Sequence, residues 1–104
     1  MKNSTCPIAA VTRILGRRWT LELLYYLRER RRFCELQQLV GGVNTATLTE
    51  RLKSLEQSGL VSRHDLSDGA RHVEYELSAK GRELTPVLDT IVGLARRWQT
   101  VETR

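Results

Sequence analysis

The chain has 104 residues, with 17 Lys and Arg against 12 Asp and Glu, so it carries a net charge of +5. This length leaves room for one domain, spanning 1–104, with a single modest core. The basic excess is compatible with a nucleic-acid partner, although many soluble proteins carry one harmlessly. The sequence has no membrane-length apolar run and no signal-peptide core, which predicts a cytoplasmic protein.

Two cysteines, Cys6 and Cys34, lie far apart in the chain. Their spacing fits neither a disulfide framework nor a metal-ligand cluster. The sequence also has no close Cys and His pairing, no phosphate-cradling glycine loop and no metal-binding array. We therefore expect no cofactor, no metal and no enzyme activity. A thiol enzyme built on Cys6 is the enzyme alternative.

The first two helices are predicted near the N-terminus. Pro7 is placed to open a helix that runs through about Leu15, and Gly16 ends it. A second helix is predicted from about Trp19 to Glu29. Its core-facing stripe consists of Trp19, Leu23, Leu24 and Leu27.

The next two helices are separated by a glycine pair. Residues 33–40 have helical periodicity, and Gly41 and Gly42 end that helix because glycine tolerates positive φ. Asn44 is a good N-cap for the helix that follows. Its buried stripe consists of Leu48, Leu52 and Leu55. The short connection predicts that the two helices pack at a steep angle.

Two strands and a long helix complete the chain. Alternating residues predict strands at 60–63 and 73–77, with a turn at 67–69 between them. Ser78 is predicted to cap the last helix, and Pro86 to kink an early turn of it. An apolar stripe with heptad-like spacing follows this helix: Leu84, Leu88, Ile91, Ala95 and Trp98.

This order of elements predicts a mainly α protein with a small β-wing (α+β), a winged helix-turn-helix with N- and C-terminal dimerisation helices. The second helix of the pair is then free to enter the major groove of double-stranded DNA. A two-fold homodimer would match a palindromic site, with recognition helices roughly 34 Å apart. The predicted interface consists of Ile8, Val11, Leu84, Leu88, Ile91, Ala95 and Trp98. The alternative is that the last stripe packs on the first helix of its own chain.

The sequence resembles the HxlR-type winged helix-turn-helix transcriptional regulators of bacteria and archaea. The resemblance covers nearly the whole chain and is carried by an ordered set of short motifs: Cys6-Pro7-Ile8, 15–21 (LGRRWTL), 32–36 (RFCEL), 48–52 (LTERL), Leu55-Glu56, Gly59-Leu60-Val61, 73–78 (VEYELS) and Gly81. It implies promoter binding by a homodimer held by the first and last helices. Three departures from the family affect sequence preference: Ala46 replaces a frequent lysine, Glu50 replaces the usual glutamine, and the wing lacks paired prolines.

The predicted DNA-binding residues lie on the recognition helix, before the scaffold helix and in the wing. They are Arg30, Arg31, Arg32, Asn44, Thr45, Ala46, Thr47, Thr49, Glu50, Arg51, Lys53, Arg71 and His72. Ala46, Thr49, Glu50 and Lys53 are the candidate base readers. The arginine run 30–32 is suited to phosphates, and Arg71 and His72 are suited to a minor groove.

Several of these residues have an alternative role that does not involve DNA. Arg51 is as suited to an intramolecular carboxylate as to a phosphate, and the arginine run could be merely solvated. His72 could be an ordinary exposed strand residue, as we expect His64 to be. A winged-helix protein could also use its basic face to hold another protein.

Cys6 precedes Pro7 at a helix N-terminus, where the helix dipole favours a thiolate. Some members of the resembled family use a cysteine at this matching position as a sensor of oxidants or electrophiles. The alternative is an inert side chain beside the dimer helix. Cys34 is expected to serve only packing or capping. The sequence does not identify the oxidant or small molecule that would act as effector.

Overall fold

The computed structural model describes residues 6–102, with side chains as far as Gln99. The elements follow the order α1 (Pro7–Leu15), α2 (Thr20–Tyr26), β1 (Arg31–Arg32), α3 (Phe33–Val40), α4 (Thr45–Gln57), β2 (Val61–Asp65), β3 (Val73–Leu77), α5 (Ala79–Arg82) and α6 (Thr85–Glu102). The predicted architecture, a mainly α winged helix-turn-helix with a small β-wing, is confirmed. In the described residues, no helix has both the length and the apolar character needed to cross a bilayer.

The turn between α3 and α4 forms as the sequence predicted. The backbone N–H of Arg32 donates to Glu35 Oε1 at 2.8 Å, which helps to start α3. Gly41 and Gly42 have φ values of 72° and 84°, a region that glycine enters without a steric penalty. The Asn44 side chain then caps α4. These local bonds place α4 directly after the sharp turn that orients it.

The wing is part of a small antiparallel sheet in which β3 lies between β1 and β2. The register pairs Val61 with Leu77, and Arg31 with Tyr75. β3 has the predicted bounds, while β2 begins one residue later and ends two residues later than predicted. β1 was not predicted because its two arginines are too few to show strand alternation, and only pairing with β3 makes them a strand.

A leucine-rich core joins α2, the helix pair, the sheet and α6. Its buried members are Leu23, Leu24, Leu27, Leu36, Val43, Leu48, Leu52, Leu55, Leu60, Val61, Leu77 and Leu88. Fully burying one such side chain is worth about 1.5–3 kcal/mol relative to leaving it exposed. The core therefore fixes α4 by its leucine face and leaves its opposite face at the surface.

The second helix is shorter than predicted at both ends. Trp19 has φ 78°, a left-handed conformation outside the helix, so α2 begins at Thr20. After Tyr26, the N–H groups of Arg28 and Glu29 donate to carbonyls three residues back. These tighter turns end the α-helix before the basic segment that leads into β1.

The predicted single C-terminal helix is divided into α5 and α6, which corrects the roles of Ser78 and Pro86. Ser78 Oγ accepts from Gly81 N–H at 3.1 Å and so caps the short α5. A Cβ on Gly81 would lie 2.1 Å from the Leu60 carbonyl oxygen, which explains glycine at this close approach. Pro86 lies in the first turn of α6, where a proline is tolerated, so it marks a helix start and not a kink.

Leu88 also differs from its predicted place. The sequence assigned it to a dimer interface, but its exposed fraction is 4% and it lies in the core of its own chain. It is packed near α2, because α6 turns this part of its stripe inward. Leu88 thus packs within its own chain, but on α2 and not on the first helix as the alternative had it.

Candidate nucleic-acid interface

The recognition helix α4 exposes the residues predicted to face DNA. Ala46, Thr49, Glu50 and Lys53 are all exposed, whereas the three leucines of the same helix are buried. This division follows from the helical repeat, since the leucines recur at intervals of three and four residues. An outward polar face of this kind is what a helix needs to enter a major groove.

The N-terminus of α4 presents polar groups whose bonding is partly satisfied within the protein. Asn44 Oδ1 accepts from the Thr47 N–H at 2.8 Å. Thr45 Oγ1 accepts from Gln37 Nε2 at 3.2 Å. Because both side chains act as acceptors in these bonds, the Asn44 NH₂ group and the Thr45 hydroxyl hydrogen remain to donate. Asn44 and Thr47 therefore have a capping role that the sequence predicted only for Asn44.

A concavity of about 380 Å³ lies between α4, the start of α3 and the wing. Its lining residues are Arg32, Phe33, Cys34, Thr45, Thr49, Arg71, Val73 and Tyr75. The structure thus brings Arg32 and Arg71 together with the hydroxyl groups of α4, although they come from separate parts of the sequence. The sequence did not predict that Cys34 lines this concavity. The opposite wall is formed by the wing, which is distant from Cys34 in the sequence.

Arg30 and Arg31 differ from Arg32 in what their side chains contact. Arg30 Nε lies 2.8 Å from Glu74. Arg31 Nε donates to the Tyr26 carbonyl oxygen at 2.9 Å. Both guanidinium groups therefore bond within the protein, and they tie the segment before α3 to its surroundings. Of the three, Arg32 lines the concavity beside α4, and the predicted phosphate contacts of all three stay predictions.

The two histidines pair with carboxylates on β3. His72 Nε2 lies 2.7 Å from Glu74, and His64 Nε2 lies 2.8 Å from Glu76. The hydrogen bond from His72, together with the charge of Arg30, holds the pKa of the Glu74 carboxyl below its ordinary value. His72 is thus engaged within the wing and is not a simple exposed strand residue, and the same is true of His64.

Glu50 is held by two arginines, one of which the sequence did not single out. Arg17 NH1 and NH2 donate to the two carboxylate oxygens of Glu50 at 3.0 and 3.1 Å. Arg51 NH1 also donates to this carboxylate, and Arg51 Nε donates to the Arg18 carbonyl oxygen at 2.8 Å. The hydrogen bond from Arg17 is the largest cause that lowers the pKa of Glu50. Arg51 therefore has the intramolecular partner that the sequence left open.

The HxlR-like helix-turn-helix family model matches residues 14–103 of the chain. The chain belongs to this family. The HTH-type transcriptional regulator sll1512 of Synechocystis sp., itself uncharacterized, is 37% identical over 94 residues, which cover 89% of this chain and 70% of that protein. An HxlR-like protein is a transcriptional regulator and not an enzyme, as the sequence predicted.

Solved structures of transcriptional regulators have the same fold. The redox regulator HypR in its reduced form superposes with a TM-score of 0.85 at 25% identity, covering 95% of this chain and all of that one. The reduced form of the regulator YodB from B. subtilis has a TM-score of 0.74 at 32% identity, covering 86% of this chain and 90% of that one. YodB has also been solved with quinone bound and after diamide treatment.

Cys6 of this HxlR-like chain is exposed at the N-terminus of α1. Its Sγ accepts from the Ala9 N–H at 3.4 Å, so the sulfur caps the helix as a serine oxygen would. Such a position brings the sulfur close to the positive end of the helix dipole. No group of three or more potential metal-ligating side chains occurs in the described part of the chain.

The remaining predicted interface residues form an apolar surface on α1 and α6. Ile8 is 69% exposed and Trp98 61% exposed, and Val11 and Ile91 are exposed as well. Leu84 and Ala95 are half-buried. Leu84 and Val11 line a groove of about 210 Å³ between α1 and the start of α6. Ile91 lines a second groove with Leu21 and Tyr25 of α2, and exposed apolar side chains along such grooves are typical of a partner surface.

Proposed function

We propose that this HxlR-like regulator binds double-stranded DNA sequence-specifically, as a homodimer on a palindromic promoter site, and that Cys6 makes the binding responsive to thiol oxidation. The observation that carries the DNA proposal is the outward face of α4, bordered on one side by Arg32 and Arg71 across a shared concavity. A helix of this kind reads bases, while cationic side chains beside it neutralise phosphates.

The side chains support a division of roles. Ala46 and Thr49 offer methyl groups for a thymine, and Lys53 can reach a guanine or a phosphate. Asn44 and Thr45 keep donors at the start of α4, where backbone N–H groups and the helix dipole also favour a phosphate. Arg32 and Arg71 complete the phosphate contacts. Thr47 acts through the cap, and Arg51 through its bond to Glu50.

A homodimer is supported by the apolar surface of α1 and α6. Ile8, Val11, Ile91 and Trp98 are too exposed for the interior of one protomer. A second copy would remove this surface from water, and two-fold symmetry would place two copies of α4 on one side of the dimer. Their spacing would then match one turn of DNA, about 34 Å.

Thiol responsiveness is supported by two observations. Cys6 is exposed and caps α1, the helix that carries Ile8 and Val11 of the proposed interface. The structural neighbours include a protein named as a redox regulator and one solved after diamide treatment. An adduct at Cys6 would change the packing of α1 against the partner, and so the relative position of the two α4 helices.

The decisive experiment is to select duplexes from a random DNA pool with the purified protein and to titrate binding against salt. We expect an enriched palindrome, and a binding constant that falls steeply with salt because phosphates release counterions. Failure to bind any duplex at low salt would contradict the DNA proposal and favour the use of this face for a protein partner.

A further inference from the structure

The loop between α1 and α2, residues 16–19, is fastened to the recognition helix by two consecutive residues. Both terminal nitrogens of Arg17 donate hydrogen bonds to the Glu50 carboxylate, and the Arg18 carbonyl oxygen accepts one from Arg51. Trp19, which follows, is half-buried against the core and stacks with Arg18 at 4.4 Å. The left-handed backbone at Trp19 and these bonds hold the loop beside α4.

Glu50 lies near the middle of the outward face of α4. With about 100° between successive residues, its direction is roughly opposite to the mean direction of the three buried leucines. The side chain is 51% exposed and that of Arg17 is 40% exposed. Arg17 therefore presents its guanidinium group at the surface that would face DNA, although it belongs to neither the helix pair nor the wing.

The wing and the 16–19 loop lie on different flanks of α4. Thr49 faces the wing, because it lines the same concavity as Arg71. Arg51 is turned away from Thr49 by about 160°, and it bonds the Arg18 carbonyl oxygen of the loop that carries Arg17. This loop therefore lies on the flank of the recognition helix opposite the wing, and Arg17 reaches from it to Glu50 at the middle of the outward face. A major groove about 12 Å wide is bordered by two phosphate backbones, so a cation on each flank of the helix has a backbone to contact.

The chemistry of the cluster suits an anion. A guanidinium group has five N–H donors, and Glu50 occupies two of those on Arg17. Because Arg17 and Arg51 share a single carboxylate, the three side chains together keep one net positive charge. Glu50 also restricts the rotamers of Arg17, so less conformational entropy is lost when the guanidinium group binds.

We propose that Arg17 contacts the DNA phosphate backbone on the flank of α4 opposite the wing, and that Glu50 is the positioning residue that holds it there. This inference rests on the proposed DNA binding. It assigns a DNA contact to the loop before α2 and gives Glu50 a role other than direct reading of a base.

The test is a double-mutant cycle of DNA affinity over a range of salt concentrations, on the duplex selected by the wild type and on random duplex. Arg17→Ala should lower affinity for both duplexes by about three- to tenfold and reduce the salt slope by about one. Arg17→Lys keeps the charge and should keep the slope. In a Glu50→Gln background, Arg17→Ala should lose less than half as much affinity, on a logarithmic scale. The neutral amide offers one oxygen acceptor in place of the bidentate carboxylate, so it holds the Arg17 guanidinium group less firmly.

Two substitutions serve as matched controls. Arg13→Ala removes the same charge from the last turn of α1, and Glu56→Gln makes the same change elsewhere on α4. Neither should reproduce the coupling. All variants should keep an unfolding midpoint close to that of the wild type, because exposed ion pairs add little to stability.

The outcomes separate this inference from the function on which it rests. A wild type that binds no duplex would overturn both. A wild type that binds DNA, with Arg17→Ala matching Arg13→Ala in affinity and slope, would overturn the Arg17 contact alone. An Arg17→Ala loss that persists in full in the Glu50→Gln background would overturn the positioning role of Glu50.

Discussion

Arg30 Nε lies 2.8 Å from a carboxylate oxygen of Glu74, and this pair joins the segment before α3 to the central strand of the wing. Glu74 also accepts from His72. Glu76, two residues further along β3 and on the same face, contacts His64 and Arg82. Two neighbouring carboxylates thus organise cations from several elements. Through Arg30 and Arg82, this network ties the wing to the body of the protein.

The network makes a prediction about stability and pH. His72 and Arg30 lower the pKa of Glu74, so its stabilising effect is fully present above the ordinary carboxyl value of 4.5 and is lost as the pH falls through the lowered value of the folded state. The difference in unfolding midpoint between wild type and Glu74→Gln should therefore be present above pH 4.5 and should shrink as the pH falls below it. Thermal unfolding followed by circular dichroism measures this.

A baseline for that experiment comes from Glu56→Gln, since Glu56 is an exposed glutamate on α4. Its substitution reports the effect of removing one negative charge from this basic protein. If the Glu74→Gln difference stays constant from neutral to acidic pH, the bonds from His72 and Arg30 do not contribute to stability.

Two substitutions of Asn44 distinguish its role in stability from its role in DNA binding. Asn44→Ala should cost about 1 kcal/mol of unfolding free energy, because the Thr47 N–H loses its acceptor. Asn44→Asp keeps the acceptor and adds a negative charge at the helix N-terminus, so it should preserve stability. The same carboxylate would repel phosphates and should weaken DNA binding. Chemical denaturation and a binding titration on both variants check the two effects, and equal DNA affinity for Asn44→Asp and wild type would contradict the contact.

The proposed dimer is tested on the exposed part of α6. Ile91→Glu should give monomers, because it would bury a charge in the interface at a cost of several kcal/mol. Light scattering at micromolar concentration measures the mass. Leu66→Glu, at an exposed leucine in the wing, should leave the dimer intact. Leu88→Glu is unsuitable because Leu88 lies in the protomer core. A monomeric wild type would rule out the interface.

The thiol proposal distinguishes two exposed cysteines. Both sulfurs lie at helix N-termini, but Cys6 Sγ accepts the Ala9 N–H as the cap of α1. Cys6 should therefore react with hydrogen peroxide, diamide or quinones faster than Cys34. Oxidation should change DNA affinity by roughly five- to 150-fold, which corresponds to a coupling of about 1–3 kcal/mol. DNA titrations before and after oxidant provide the measurement.

The serine variants decide which sulfur is responsible. Cys6→Ser should abolish the response and keep the DNA affinity of the reduced protein. Cys34→Ser should still respond. A response that persists in Cys6→Ser and disappears in Cys34→Ser would instead point to an adduct in the concavity beside Thr45 and Thr49, which would block DNA directly.

Local features of the sequence were sufficient to predict most of the fold. The α3 and α4 bounds and the Asn44 cap depend on interactions within a few residues and on helical periodicity, and both are visible in the sequence. The same periodicity predicted which face of α4 is exposed. The C-terminal division into α5 and α6 was missed because the tighter turns at Glu83 and Leu84, where N–H groups donate to carbonyls three residues back, leave no break in the apolar periodicity.

What the sequence by itself determined is therefore the helix pair, the two wing strands, most of the leucine core and the outward face of α4. Each of these depends on short-range spacing and on burial of apolar side chains. Only the tertiary structure decided which charged side chains meet. Arg17 and Glu50 are 33 residues apart, and Arg30 reaches Glu74 only through the pairing of β1 with β3. A charged residue at the surface has no periodicity that names its partner, so the assignment of arginines to phosphates or to carboxylates required the folded chain.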